Sequence, residues 1–129
     1  MSPYGTIYIE VNSMRDTVEQ KSFLFAVRIV KLCEYLRKTK KEYTLSKQLL
    51  RAGTSIGANI AEAQQAQSRA DFASKINIAL KEAVETNYWL RLMNATGLLS
   101  EREYQSIITD CQELEKMLTA IVKTTNEAG

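Results

Sequence analysis

Pro3 is the only proline in a chain of 129 residues, so from position 4 onward nothing in the backbone chemistry forbids long, uninterrupted helix. Only five glycines punctuate the sequence, and its apolar residues recur mainly at spacings of three and four. These features favour an all-α fold over a turn-rich sheet protein. A hydrophobic content of 45% over this length is enough to build one core, and no linker, low-complexity run or internal repeat divides the chain.

Four helices are expected, at about 16–38, 44–67, 69–94 and 101–123. In the first, Phe25, Ile29, Leu32 and Leu36 form an inward seam, while Phe23, Val27 and Val30 project almost opposite to it. A rim helix needs one apolar face, so the second points to a neighbouring subunit or to a helix sandwiched inside its own domain. The second helix carries Leu45, Leu49, Ala52, Ile56 and Ala63 inward, with Asn59 on the same stripe, where it is expected to set register through a hydrogen bond. Gly53 and Gly57 sit one turn apart on this helix, each costing about 1 kcal/mol relative to alanine. With Ala52, Ser55, Ala58 and Ala61 they leave a groove poor in side chains, suited to close packing within the chain or to a second subunit or ligand.

Ser68 with Asp71 and Ser100 with Glu103 resemble capping boxes and place the starts of the third and fourth helices. Phe72, Ile76, Ala79, Ala83 and Leu90 make the third seam; Ile78 and Trp89 lie on another face, as an interface patch or as a tryptophan lying over the bundle edge. Tyr104, Ile107, Cys111, Leu114, Leu118 and Ile121 make the fourth and most regular seam. Short connections imply an antiparallel up-down-up-down four-helix bundle over 16–124. Before it, Ile7, Ile9 and Val11 alternate with Tyr8, Glu10 and Asn12, which predicts a short extended N-terminal arm over 1–15; residues 125–129 are expected to be a disordered tail.

Histidine is absent, which excludes serine and cysteine triads, two-His zinc sites and the Glu-x-x-His pairs of di-iron bundles. Neither Cys-x-x-Cys nor a glycine-rich phosphate loop is present, so no catalytic residue, metal or cofactor is expected and the chain reads as a non-enzyme. Cys33 and Cys111 fall inside helical patterns as structural thiols. No apolar run approaches the ~20 residues that cross a bilayer, and the N-terminus lacks a signal pattern; a cytoplasmic protein with no membrane partner is expected.

The net charge of +2 hides a local imbalance. Arg28, Lys31, Arg37, Lys38, Lys40, Lys41, Lys47 and Arg51 face only Glu34 and Glu42 over the same stretch. Arg28, Lys31, Tyr35 and Lys38 share one helical stripe, a basic track carrying an aromatic. Such a surface can hold a phosphate backbone by counterion release, without reading bases, or can simply be a solvated bundle end. Symmetric copies around one axis would add their potentials.

From Lys21 to about Val122 the sequence resembles the four-helix-bundle proteins encoded by intervening sequences of bacterial 23S rRNA genes. The resemblance is carried by Lys21-Ser22-Phe23, Arg28-Ile29-Val30-Lys31-Leu32, the block from Ser46 through Arg51-Ala52-Gly53-Thr54-Ser55-Ile56-Gly57-Ala58-Asn59 to Ala63, Ser68-Arg69-Ala70-Asp71-Phe72, and Ala79-Leu80-Lys81-Glu82-Ala83 with Glu85, Tyr88 and Trp89. Members are similar to the accessory variability protein of diversity-generating retroelements, a pentameric, basic bundle that binds nucleic acid and assists a reverse transcriptase. The resemblance implies a homo-oligomer, most simply a homopentamer, with RNA or DNA as partner. It supplies no catalytic motif, so Glu62, Glu82 and Glu85 are expected to cap and pair with Lys or Arg. The alternative is a protein-interaction scaffold or accessory subunit for a nucleic-acid enzyme such as a polymerase.

Overall fold

A computed structural model describes the backbone of residues 5–128 and the side chains of residues 18–126. Four helices follow one another: α1 (Gly5–Lys38), α2 (Thr44–Ala63), α3 (Arg69–Ala95) and α4 (Glu101–Ala128). Each packs on the next, and α1 closes the bundle by a thinner contact with α4. Phe25, Ile29 and Leu36 of α1 meet Leu49, Ile56 and Ile60 of α2, Ile76, Leu90 and Met93 of α3, and Leu114 and Leu118 of α4 in one buried core. The antiparallel bundle expected from the apolar seams is therefore the fold.

The helix ends are specified locally. Ser68 is extended (φ −155°, ψ 167°) and its Oγ accepts from the Asp71 N–H at 3.0 Å, starting α3. At the start of α4 the Ser100 Oγ accepts from the Glu103 N–H at 3.1 Å and the Glu103 carboxylate accepts from the Ser100 N–H at 2.8 Å, a reciprocal capping box. The end of α3 is a Schellman motif: the Leu98 N–H reaches the Met93 carbonyl (2.9 Å), the Gly97 N–H reaches Asn94 (3.1 Å), and Gly97 takes φ +80°, where a side chain would be strained. For α2, Tyr43 gives no side-chain cap; instead the Glu42 carboxylate accepts from the N–H groups of Thr44 (3.1 Å), Leu45 (3.0 Å) and Ser46 (2.8 Å).

Three expectations differ from the structure. Residues 5–15, expected in an extended arm, are the opening turns of α1; residues 1–4 of that arm lie outside the described residues. Among the described residues the alternation of Ile7, Ile9 and Val11 has no neighbouring strand to take its backbone hydrogen bonds, and continued helix satisfies them internally. The tail is also helical through Ala128, since no Gly or Pro interrupts it before Gly129, which lies outside the described residues. Conversely, α2 ends at Ala63 rather than near Gln67. The chain there tightens into turns, Gln65 N–H to Glu62 O at 3.0 Å and Ala66 N–H to Ala63 O at 3.1 Å, because it must leave the helix before Ser68 can cap α3.

Both cysteines are buried and free, and each thiol donates to a carbonyl, Cys33 to Ser46 (3.3 Å) and Cys111 to Ala83 (3.4 Å). Burial pushes the Cys33 thiol up to about 11 and Cys111 to about 12, so neither is a thiolate near neutrality. Asn59 does not bridge helices; its amide donates to Ser55 O of its own helix at 2.8 Å.

Candidate nucleic-acid interface

The eight cations between positions 28 and 51 do not form one patch, because α1 and α2 present them on different sides. Arg28 leans toward α4, where Nη1 meets Asp110 Oδ2 at 2.6 Å and Nη2 donates to Ser106 Oγ at 2.8 Å. Lys31 lies close by, sharing a shallow hollow with Arg102, Glu103 and Ser106. Arg51 turns the other way, across the α2–α3 seam, where it is paired with Glu82 at 3.1 Å and with Glu85. The charges of Arg28 and Arg51 are thus answered within the chain by acids of a neighbouring helix, across half-exposed ion pairs.

The remaining residues converge on the α1–α2 hairpin. Arg37, Lys38 and Lys41 line a depression of about 360 Å³ with Glu34 and Tyr43. Beside it, Arg37 and Lys47 line a second of about 310 Å³ with Tyr43, Ser46 and Leu50. Among the described residues Lys31, Arg37, Lys40, Lys41 and Lys47 make no ion pair, and Lys38 has only an exposed pair with Glu34 at 3.7 Å. Their charge is therefore available to an outside anion. Of the two carboxylates at the hairpin, Glu34 reaches only Lys38, and Glu42 is occupied by backbone. Desolvation alone would push its pKa up, but the three N–H donors outweigh it and hold Glu42 below the ordinary carboxylate range.

Sequence spacing missed Arg102, which lies far along the chain but joins Lys31 because α4 begins at the same end of the bundle. It also singled out Tyr35 as the aromatic of the basic track, whereas Tyr43, 57% exposed, stands between the two depressions.

The apolar surface residues divide as well. Phe23 is 68% exposed, Leu24 61% and Val30 40%, while Val27 is half-buried, so α1 does present a second apolar face. Phe23 and Leu24 border an open groove of about 770 Å³ floored by Thr54, Gly57, Ala58 and Ala61 of α2. Gly57 contributes to that groove, but Gly53 does not. Gly53 is buried under Ile29, whose Cγ1 would lie 2.8 Å from an added Cβ, so its role is close packing of α1 on α2 rather than an oligomer interface. Trp89 packs on the core and its Nε1 donates to Glu85 at 3.0 Å, whereas Ile78 remains at the surface. Leu24 on α1 and, one turn apart on α3, Val84 and Tyr88 are exposed apolar residues that the seam pattern did not isolate.

Glu62 pairs with Lys75 at 3.0 Å, and Glu82 and Glu85 hold Arg51, so these acids serve helix-to-helix pairing. The hydrogen bond from Trp89, joined by Arg51, holds Glu85 below its usual range against a smaller desolvation effect. Among the described residues no group of three His, Cys, Asp or Glu side chains converges as metal ligands would, and no buried side-chain nitrogen or oxygen lacks a partner. No helix of the described residues is long and apolar enough to cross a membrane.

Comparison with known proteins adds a family and a structural relative. The family described as 23S rRNA-intervening sequence protein matches residues 15–120. A crystal structure from Bacteroides thetaiotaomicron VPI-5482, described as a protein of unknown function from the S23 ribosomal protein family, is 55% identical with a TM-score of 0.84, covering 85% of this chain and 98% of that one. No curated protein matches.

Proposed function

The chain belongs to the 23S rRNA-intervening sequence protein family, and on that premise we propose that it is a non-enzymatic, self-associating bundle that grips the phosphate backbone of RNA or DNA at its α1–α2 hairpin. The observation that carries this is the convergence of Arg37, Lys38, Lys41 and Lys47 on two adjoining depressions, with little carboxylate to answer them. Phosphate binding by such side chains is driven by counterion release and is indifferent to base sequence.

Self-association is part of the same proposal. Burying an exposed phenylalanine contributes about 1.5–3 kcal/mol, and Phe23 with Leu24 leaves that contribution unclaimed beside a groove suited to a helix from another copy. A homopentamer is the assembly we expect, repeating the hairpin around one axis.

Changing Arg37, Lys40, Lys41 and Lys47 together to glutamate should abolish binding of a labelled oligonucleotide while helicity is retained, and Arg51→Glu should leave binding unchanged. Wild-type binding through about four phosphates should show a log–log salt slope of about −3. Undiminished binding by the hairpin variant would refute the proposal. The same Phe23–Leu24 groove favours a second reading, docking of a protein partner such as a polymerase; a stoichiometric complex that forms without nucleic acid and is lost in Phe23→Glu would support it.

A further inference from the structure

Tyr43 is exposed without a structural task. It stands at the N-cap of α2 yet makes no capping hydrogen bond, it is absent from the core, and among the described residues its hydroxyl has no partner. Its position is nevertheless well defined. The Leu36 carbonyl accepts from the N–H groups of both Lys40 (3.1 Å) and Glu42 (3.0 Å), Lys41 takes φ +57°, and the Glu42 carboxylate ties the first turn of α2 from the residue just before the tyrosine. An exposed aromatic residue is thus carried by a short turn whose backbone is hydrogen-bonded on both sides of it. Both depressions have Tyr43 in their wall and share Arg37, with Lys38, Lys41 and the Glu34 that pairs with Lys38 on one side and Lys47 on the other, so three cations stand against one acid in the first and two against none in the second.

An aromatic ring between two cation-lined hollows matches the repeating chemistry of an unpaired nucleotide strand: phosphate, base, phosphate. A duplex buries its base faces in its own stack and offers such a ring nothing, whereas each base of a single strand has a free face for an aromatic side chain. We propose that the hairpin takes single-stranded nucleic acid, with one base stacked on Tyr43 and the flanking phosphates held by Arg37 with Lys38 and Lys41, and by Lys47. This rests on the phosphate-binding function above and adds the strand class and the residue that selects it.

The test compares wild type, Tyr43→Ala and Tyr43→Phe in binding short oligouridylate, oligothymidylate and a duplex of matched length, with circular dichroism confirming equal helicity. Tyr43→Ala should lose at least about fivefold on single strands and nothing on the duplex, and Tyr43→Phe, which keeps the ring, should bind as wild type does. Equal single-strand affinity in Tyr43→Ala, or an equal loss on the duplex, overturns the stacking role while leaving phosphate binding intact. Failure of wild type to bind any of the three at low salt overturns the phosphate-binding function itself, and the stacking role with it.

Discussion

Gly53 and Gly57 carry the same side chain at neighbouring turns of α2 but meet different surroundings. A methyl group at position 53 would sit 2.8 and 2.9 Å from Cγ1 and Cγ2 of Ile29, a fully buried, β-branched side chain with no room to rotate away. At position 57 the nearest atoms are Ser22 Oγ at 3.3 Å and Ser22 O at 3.4 Å, contacts that a small shift relieves. Alanine gains about 1 kcal/mol of helix propensity at either site, and overpacking a core costs about 1–3 kcal/mol. Gly53→Ala should therefore destabilise by up to about 2 kcal/mol and Gly57→Ala should be neutral or stabilising by up to about 1 kcal/mol, as read by urea unfolding. Similar effects at both positions would show that α1 does not approach α2 as closely as the structure has it. The spacing of the glycines was visible in the sequence; which one lies under a side chain of α1 was not, because that depends on the axial register of two helices.

Among the elements, α2 depends on a residue outside its own span. Glu42 satisfies three N–H groups that would otherwise be orphaned, so Glu42→Ala should cost about 1 kcal/mol near neutral pH. The folded-state pKa of Glu42 lies below that of the unfolded chain, about 4.3, so its contribution is present above that value and is lost as pH falls through the folded pKa. The stability difference between wild type and Glu42→Ala should accordingly shrink below about pH 4; a difference that grows on acidification would contradict the capping role. The capping boxes at Ser68 and Ser100 were legible because the pattern Ser-x-x-acid is local. The Glu42 cap was not, since it precedes a residue that does not cap, and neither was the helical state of residues 5–15, where a period-two alternation competed with a helix already propagating from its C-terminal side.

At the scale of the molecule, the side of α1 that carries Phe23, Leu24 and Val30 is left uncovered by the other helices among the described residues. If copies associate through it, Phe23→Glu should convert a multiple of 14.6 kDa into a monomer by light scattering with unchanged helicity, and should weaken nucleic-acid binding by removing the repeated hairpins. A wild-type protein that is strictly monomeric at working concentration would refute that account. Seam periodicity, the lack of proline and the terminal caps were sufficient to specify four antiparallel helices, because helix formation and amphipathic burial are decided by neighbours three and four residues apart. The exposure of Phe23 and Val30 opposite the seam follows from the same arithmetic. Only tertiary structure decided which cations are free. Arg28 and Arg51 look like Lys41 and Lys47 in the sequence, but Asp110 lies 82 residues from the first and Glu82 31 from the second, and Coulomb energy depends on distance in space. The same holds for Tyr43, whose place between two depressions is made by the approach of two helices at a turn.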